Sequence, residues 1–153
     1  MLVPMIPRTG PERKAHALDV LRLRHADAWV ASASAEGVAH LVPLSYAWDG
    51  SRIILSTRPR NPTTLNIAAG SRARVALGHT RDVVMIDAEL DAVIPVSSRE
   101  DVATAYAAQG DWDPRQTPGE WVFILLRPRA IQAWREADEI AGREIMAGGD
   151  WLF

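Results

Sequence analysis

The sequence predicts a mainly β fold, an antiparallel barrel with flanking helices. Three observations carry this reading. About seven segments have strand character, turn signals separate them at short intervals, and the few helical stretches show no alternating βαβ rhythm, which argues against a doubly wound sheet. At 153 residues the chain suffices for one domain with a full core and is too short for two of ordinary size. Residues 1–153 are therefore read as one unit, with a helical N-terminal segment at about 11–27 and a C-terminal tail at about 137–153.

The elements follow in order. Thr9-Gly10-Pro11-Glu12 has the spacing of a capping box, with Pro just inside the helix start. The helix it opens would place Leu18, Leu21, His25 and Ala28 on one stripe and give way near Asp27 to a strand. Strands over 28–34 and 38–48 flank Ala35-Glu36-Gly37, a short turn. Asp49-Gly50 is a hairpin signal before a third strand starting at Ile53. A short helix after Asn61-Pro62 stops at Gly70, and strands over 72–78 and 82–96 follow, separated by His79-Thr80-Arg81. Ser97 and Ser98 lead into Glu100 and Asp101, the start of a helix that ends at Gly110. Residues 111–119, with two prolines and Trp112, read as a loop, and strands over 120–126 and 130–136 close the pattern.

One register can be written down in advance. If Thr80 and Arg81 form the tip of a hairpin, His79 lies opposite Asp82, Arg74 opposite Asp87 and Arg72 opposite Glu89. Val75 then meets Ile86 and Leu77 meets Val84 on the other face. Every charged pair is attractive and every apolar residue meets another, whereas a slip of one residue would turn each set to the wrong face. The acidic run Asp87, Glu89, Asp91 is thus read as an ion-paired face and not as a cluster of cation ligands.

Composition narrows the function classes. A net charge of −2 gives no electrostatic reason to expect nucleic acid as a partner. Basic charge comes almost entirely from arginine, with Lys14 the single lysine. There are no cysteines, which removes disulfides and thiolate metal sites and fits a cytoplasmic location. The start has no uninterrupted apolar core of signal-peptide length, and no segment approaches a membrane span. The four histidines form no HxH or HExxH arrangement, so no metal is expected. The chain has no G-x-S-x-G, no GxGxxG and no Walker A motif. Six tryptophans are many for this length; most are read as core or interface, with one or two available to stack on a flat cofactor.

The most informative stretch is IILSTRPRNPTTLNIAAGSRARVAL, from Ile53 to Leu77. An apolar strand runs into Ser56-Thr57-Arg58-Pro59-Arg60, and Asn61-Pro62 then opens a helix. Asn is a favoured N-cap and Pro a favoured first helical residue. The free N–H groups and positive dipole end of that helix sit beside Arg58, Arg60, Thr57, Thr63 and Thr64. A phosphate dianion is held by such groups. A solvated turn would use the same residue types, so local features leave both readings open.

The same run, continuing into T-R-D-V-V-M-I-D-A, resembles the pyridoxamine 5'-phosphate oxidase-like, flavin-binding split-barrel family. His40-Leu41-Val42-Pro43-Leu44 before Trp48-Asp49-Gly50 resembles the family's second strand and hairpin. The first helix running into AWVASAS resembles its opening. The tail Arg143-Glu144-Ile145-Met146-x-Gly148-x-x-Trp151-Leu152 resembles its closing motif. The resemblance implies a split β-barrel that forms a homodimer, with cofactor sites at the subunit interface. It implies that Ser56, Thr57, Arg58, Arg60, Thr63 and Thr64 hold the phosphate of FMN. It also implies that the backbone around Val42, Pro43, Leu44 and Ser45 borders the flavin ring. Many members carry a Lys near the start of the helix; here Thr63-Thr64 stand there, and Arg58 and Arg60 must serve.

The expected function is hydride transfer between FMN and a small redox substrate. One alternative is a reductase using the deazaflavin coenzyme F-420, whose acidic tail would call on Arg13, Lys14 and Arg22. Another is a non-catalytic module that binds flavin or haem. Trp121 or Trp134 is expected between the subunits.

Overall fold

The structure, a computed structural model, describes residues 5–153. Helix α1 (Gly10–Leu21) precedes strands β1 (Asp27–Ala33), β2 (Ala39–Trp48) and β3 (Ile53–Thr57). Helix α2 (Pro62–Gly70), strands β4 (Arg72–His79) and β5 (Asp82–Pro95), and helix α3 (Glu100–Gly110) follow. The long β6 (Val122–Arg135) and the short β7 (Glu144–Ala147) and β8 (Asp150–Trp151) complete the chain.

The sheet runs β3-β2-β1-β4-β5-β6-β7-β8, and β6 returns to pair with β3. That pairing closes six strands into an antiparallel barrel, as the sequence predicts. Closure explains why all five residues of β3 are buried. Ile53 and Leu55 point into the barrel core with Val30, Tyr46, Val75, Ile86 and Leu126. Ile54 points outward and is covered by α3, through Val102, Ala103 and Tyr106 together with Phe123 and Leu125.

The predicted β4–β5 register is the observed one: Arg72 faces Glu89, Arg74 faces Asp87, Val75 faces Ile86 and Leu77 faces Val84. Arg74 donates from Nε to Asp87 at 2.6 Å. Glu89 differs in ion-pair partner from the expectation, which named none for Asp91. Glu89 lies 3.7 Å from Arg129 on β6, and Asp91 accepts from Arg52, in the turn before β3, at 2.9 Å. A two-strand argument sees neither arginine.

Three element boundaries depart from the sequence reading. The capping box forms, with the Thr9 N–H donating to Glu12 at 2.7 Å and the Glu12 N–H to Thr9 Oγ1 at 3.3 Å. Yet α1 ends at Leu21, not near 27, and His25 has a left-handed φ of 57°. Gln109 of α3 stops it: its side-chain amide donates to the Leu21 carbonyl at 2.8 Å and to the Leu23 carbonyl at 3.0 Å. The two predicted strands over 120–126 and 130–136 are one continuous strand. Pro128 sits opposite Ala88 at a bulge, where the missing N–H breaks no ladder bond. The predicted tail over 137–153 contains the β7–β8 hairpin, turned by Gly148 and Gly149 with φ of 59° and 83°.

Candidate functional site

β2 and β3 pair only over Tyr46–Leu55, Ala47–Ile54 and Trp48–Ile53. Continuing that ladder would join Ser45 to Ser56 and Leu44 to Thr57, but the strands splay apart there. The opposite edge of β3 stays paired to β6 as far as Thr57–Val122. The gap opens into a cavity of about 390 Å³ lined by Asp27, Pro43, Leu44, Ser45, Ser56, Thr57, Tyr106, Trp112 and Trp121. Two stretches far apart in sequence, 43–45 and 56–57, therefore meet at one site, as the resemblance implies. Pro43 suits the position because it has no N–H to leave unpaired on the open edge. Val42 is not among the lining residues; it faces Val30 of β1.

The far wall of the cavity is aromatic. Trp112 meets Trp121 edge-on at 4.7 Å between ring centroids and Tyr106 at 6.1 Å. Phe123 packs against Tyr106 at 5.3 Å. Burial, reinforced by the nearby Asp27 carboxylate, pushes the Tyr106 phenol well above its usual value, so it stays protonated. Its hydroxyl donates to the Ser45 carbonyl at 3.4 Å. Ser45 in turn donates to Asp27 at 2.9 Å, fixing a carboxylate at the edge of the cavity. Asp27, Tyr106, Trp112 and Trp121 did not emerge from the sequence as site residues. The only signal for the tryptophans is their flanking of a proline-containing loop.

The predicted phosphate residues take distinct positions. Arg58 and Arg60 line one shallow depression with Pro59 and Glu120. Among the described residues Arg60 forms no ion pair, whereas Arg58 lies over the Trp121 ring. Asn61 occupies the N-cap of α2 but does not cap it. Its amide donates instead to Thr57 Oγ1 at 2.8 Å. The first-turn N–H groups of Thr63 and Thr64 are thereby left without a side-chain acceptor. Thr63 and Thr64 are themselves buried, and the Thr64 hydroxyl donates to the Arg58 carbonyl at 2.7 Å. Ser56 likewise donates inward, to the Val122 carbonyl at 3.0 Å. These hydroxyls shape the loop, while the backbone of α2 and the arginines present the donors.

Uncapped first-turn N–H groups mark the start of α2, and Arg60 directly precedes its N-cap Asn61, a donor set whose chemistry suits an anion. A flat ring with polar edges fits the splayed, aromatic-walled gap.

The model of the family described as pyridoxamine 5'-phosphate oxidase matches residues 16–135, well over half of the chain. No curated protein matches the sequence. Similar solved structures include one titled F-420 reductase, at 16% identity and a TM-score of 0.62, covering 74% of this chain and 93% of that one. An FAD-binding protein from Mesorhizobium loti aligns at 19% identity and a TM-score of 0.60, covering 76% and 90%. General Stress Protein 26 from Bacillus anthracis aligns at 11% identity and a TM-score of 0.57, covering 78% and 92%. At such identities these structures establish a shared fold. The extent of the family match shows that the chain belongs to the pyridoxamine 5'-phosphate oxidase family.

Proposed function

We propose that the protein is an FMN-dependent oxidoreductase that works as a homodimer on a small redox substrate. The observation that carries this reading is the splay of β2 from β3 beside the uncapped start of α2. FMN, when bound, supplies two-electron redox chemistry. The residues of the chain bind and orient. Arg58, Arg60 and the N–H groups of Thr63 and Thr64 take the phosphate. The backbone from Pro43 to Ser45 borders the ring, Ser56 and Thr57 shape the opposite edge, and Trp112 walls the gap. Tyr106 stays neutral and holds the Ser45 carbonyl at the edge of the gap.

The deazaflavin alternative is less well supported by side-chain use. Arg13 is buried and donates to the Glu139 carbonyl at 2.9 Å. Lys14 donates to the Phe153 carbonyl at 2.6 Å and lies over Trp151. Two of the three basic residues that would meet an acidic tail are therefore engaged in holding α1. The visible spectrum of the purified protein, followed by titration with FMN and with F-420, tests the assignment. FMN is expected to bind more tightly, and rapid reduction by a nicotinamide or a substrate separates an enzyme from a carrier. A colourless protein that takes up neither overturns the reading.

The dimer interface follows from exposed apolar surface. Trp29 on β1 is 52% exposed and faces Pro43, and the neighbouring Leu41 is 59% exposed. This patch continues into the open side of the cavity, so a second subunit seated on it would close the flavin site. Trp121 is instead taken up within the subunit by Trp112 and Arg58. Trp29→Glu is expected to convert dimer to monomer in a sedimentation experiment. A wild-type protein that is monomeric at micromolar concentration would remove both the dimer and the interface site.

A further inference from the structure

Of the two arginines predicted to hold the phosphate, Arg58 already has partners among the described residues. Its guanidinium lies 4.0 Å from the centroid of Trp121, and its Nη1 donates to the Glu120 carbonyl at 3.1 Å. It also fills the space beside Gly119, where a Cβ would stand 2.1 Å from Nη1. Gly119 has a φ of +96°, so this residue must be small and left-handed at once. No carboxylate of the described residues pairs with Arg58. The arginine is therefore held by a ring face and one neutral acceptor. Both are weaker than the bidentate, charge-assisted contact that a phosphate offers.

Trp121 lines two cavities, the splayed one and a second of about 550 Å³ bounded by Pro59, Pro95, Pro114 and Ser97. Besides Arg58 and Trp112, two long hydrogen bonds hold Trp121: its carbonyl accepts from the Val96 N–H at 3.2 Å, and its Nε1 donates to the Pro118 carbonyl at 3.3 Å.

We propose that Arg58 is a positioning residue coupling the phosphate site to the segment 112–122. A bound phosphate draws its guanidinium off Trp121 and Glu120, and the released indole lets the two cavities become one chamber. The proposal rests on the FMN reading of the site. It assigns the cofactor's phosphate a second role, that of opening space beside the ring.

Hydrogen exchange on flavin-free protein, alone and with riboflavin or FMN, tests it, with flavin absorbance reporting binding in parallel. FMN is expected to speed exchange over 112–122 and at the Val96 N–H by about 5- to 20-fold, the loss of one cation–π contact and one hydrogen bond. Riboflavin, lacking the phosphate, is expected to leave that exchange unchanged. Arg58→Ala should show the fast exchange without ligand, and so should Gly119→Ala, whose methyl group displaces the guanidinium. FMN that binds without changing the exchange overturns the coupling and leaves the cofactor reading intact. Equal acceleration by riboflavin overturns it as well, because the ring would then be the cause. Failure of both flavins to bind overturns the coupling and the cofactor reading together.

Discussion

Glu139→Ala is expected to destabilise the protein by about 3–5 kcal/mol, the cost of removing one partner from a buried ion pair. Glu139 is fully buried and gathers four donors. Arg8 reaches it from its backbone N–H at 2.8 Å and from its guanidinium Nε and Nη2 at 3.0 and 2.8 Å, and the Arg135 N–H donates at 2.7 Å. The alanine leaves the Arg8 charge with Asp82 alone and leaves two backbone donors unpaired. A thermal melt lower by about 10 °C is expected for a domain of this size. A change under about 1 kcal/mol would show that the strap from Arg8 to Glu139 contributes only surface-type stability.

The same carboxylate sets an acid limit. Burial raises its pKa, but the bonds from Arg8 and Arg135 outweigh burial and hold it at about 2, below its ordinary value. A depressed carboxylate contributes stability above its unfolded pKa and loses it as pH falls through the folded one. Denaturant titrations should therefore show stability falling between about pH 5 and pH 2. Glu139→Gln should flatten that slope.

Arg58→Ala together with Arg60→Ala is expected to weaken FMN binding by about 100-fold or more while riboflavin binding stays nearly unchanged. Each charge-assisted contact to phosphate is worth about 1.5–3 kcal/mol, and the two sum to at least two decades in Kd. The single variants should differ. Arg60 has no competing partner among the described residues, so its removal forfeits the whole contact, whereas Arg58 must first leave Trp121 and Glu120. Equal losses for FMN and riboflavin would place the arginines in folding or in ring binding.

How much was legible depended on how local the cause was. The β4–β5 register could be written from charge and hydrophobicity because both strands carry their own alternation. The Asn61-Pro62 helix start and the Asp49-Gly50 hairpin were equally local. The end of α1 was not, because the cap on Leu21 comes from Gln109 on α3. Pro128 suggested a break because its compensation, the bulge opposite Ala88, lies on another strand. The site divides in the same way. The stretches 43–45 and 56–57, singled out by the family resemblance, line one cavity, but the aromatic wall and the Arg58–Trp121 contact exist only once β6 closes the barrel.

That closure has a consequence for synthesis. β3 is among the first strands to leave the ribosome, yet its edge pairs with β6, which is made only after most of the chain has emerged. Until then the run Ile53-Ile54-Leu55 carries apolar side chains on both faces and one unsatisfied backbone edge. Nascent chains in this state are prone to join each other edge to edge. The slow event in folding is then the long-range docking of β6, whose loop entropy must be overcome before any barrel contact with β3 repays it. Truncation before residue 122 removes the partner of that edge, and such fragments should aggregate while the full chain remains in solution.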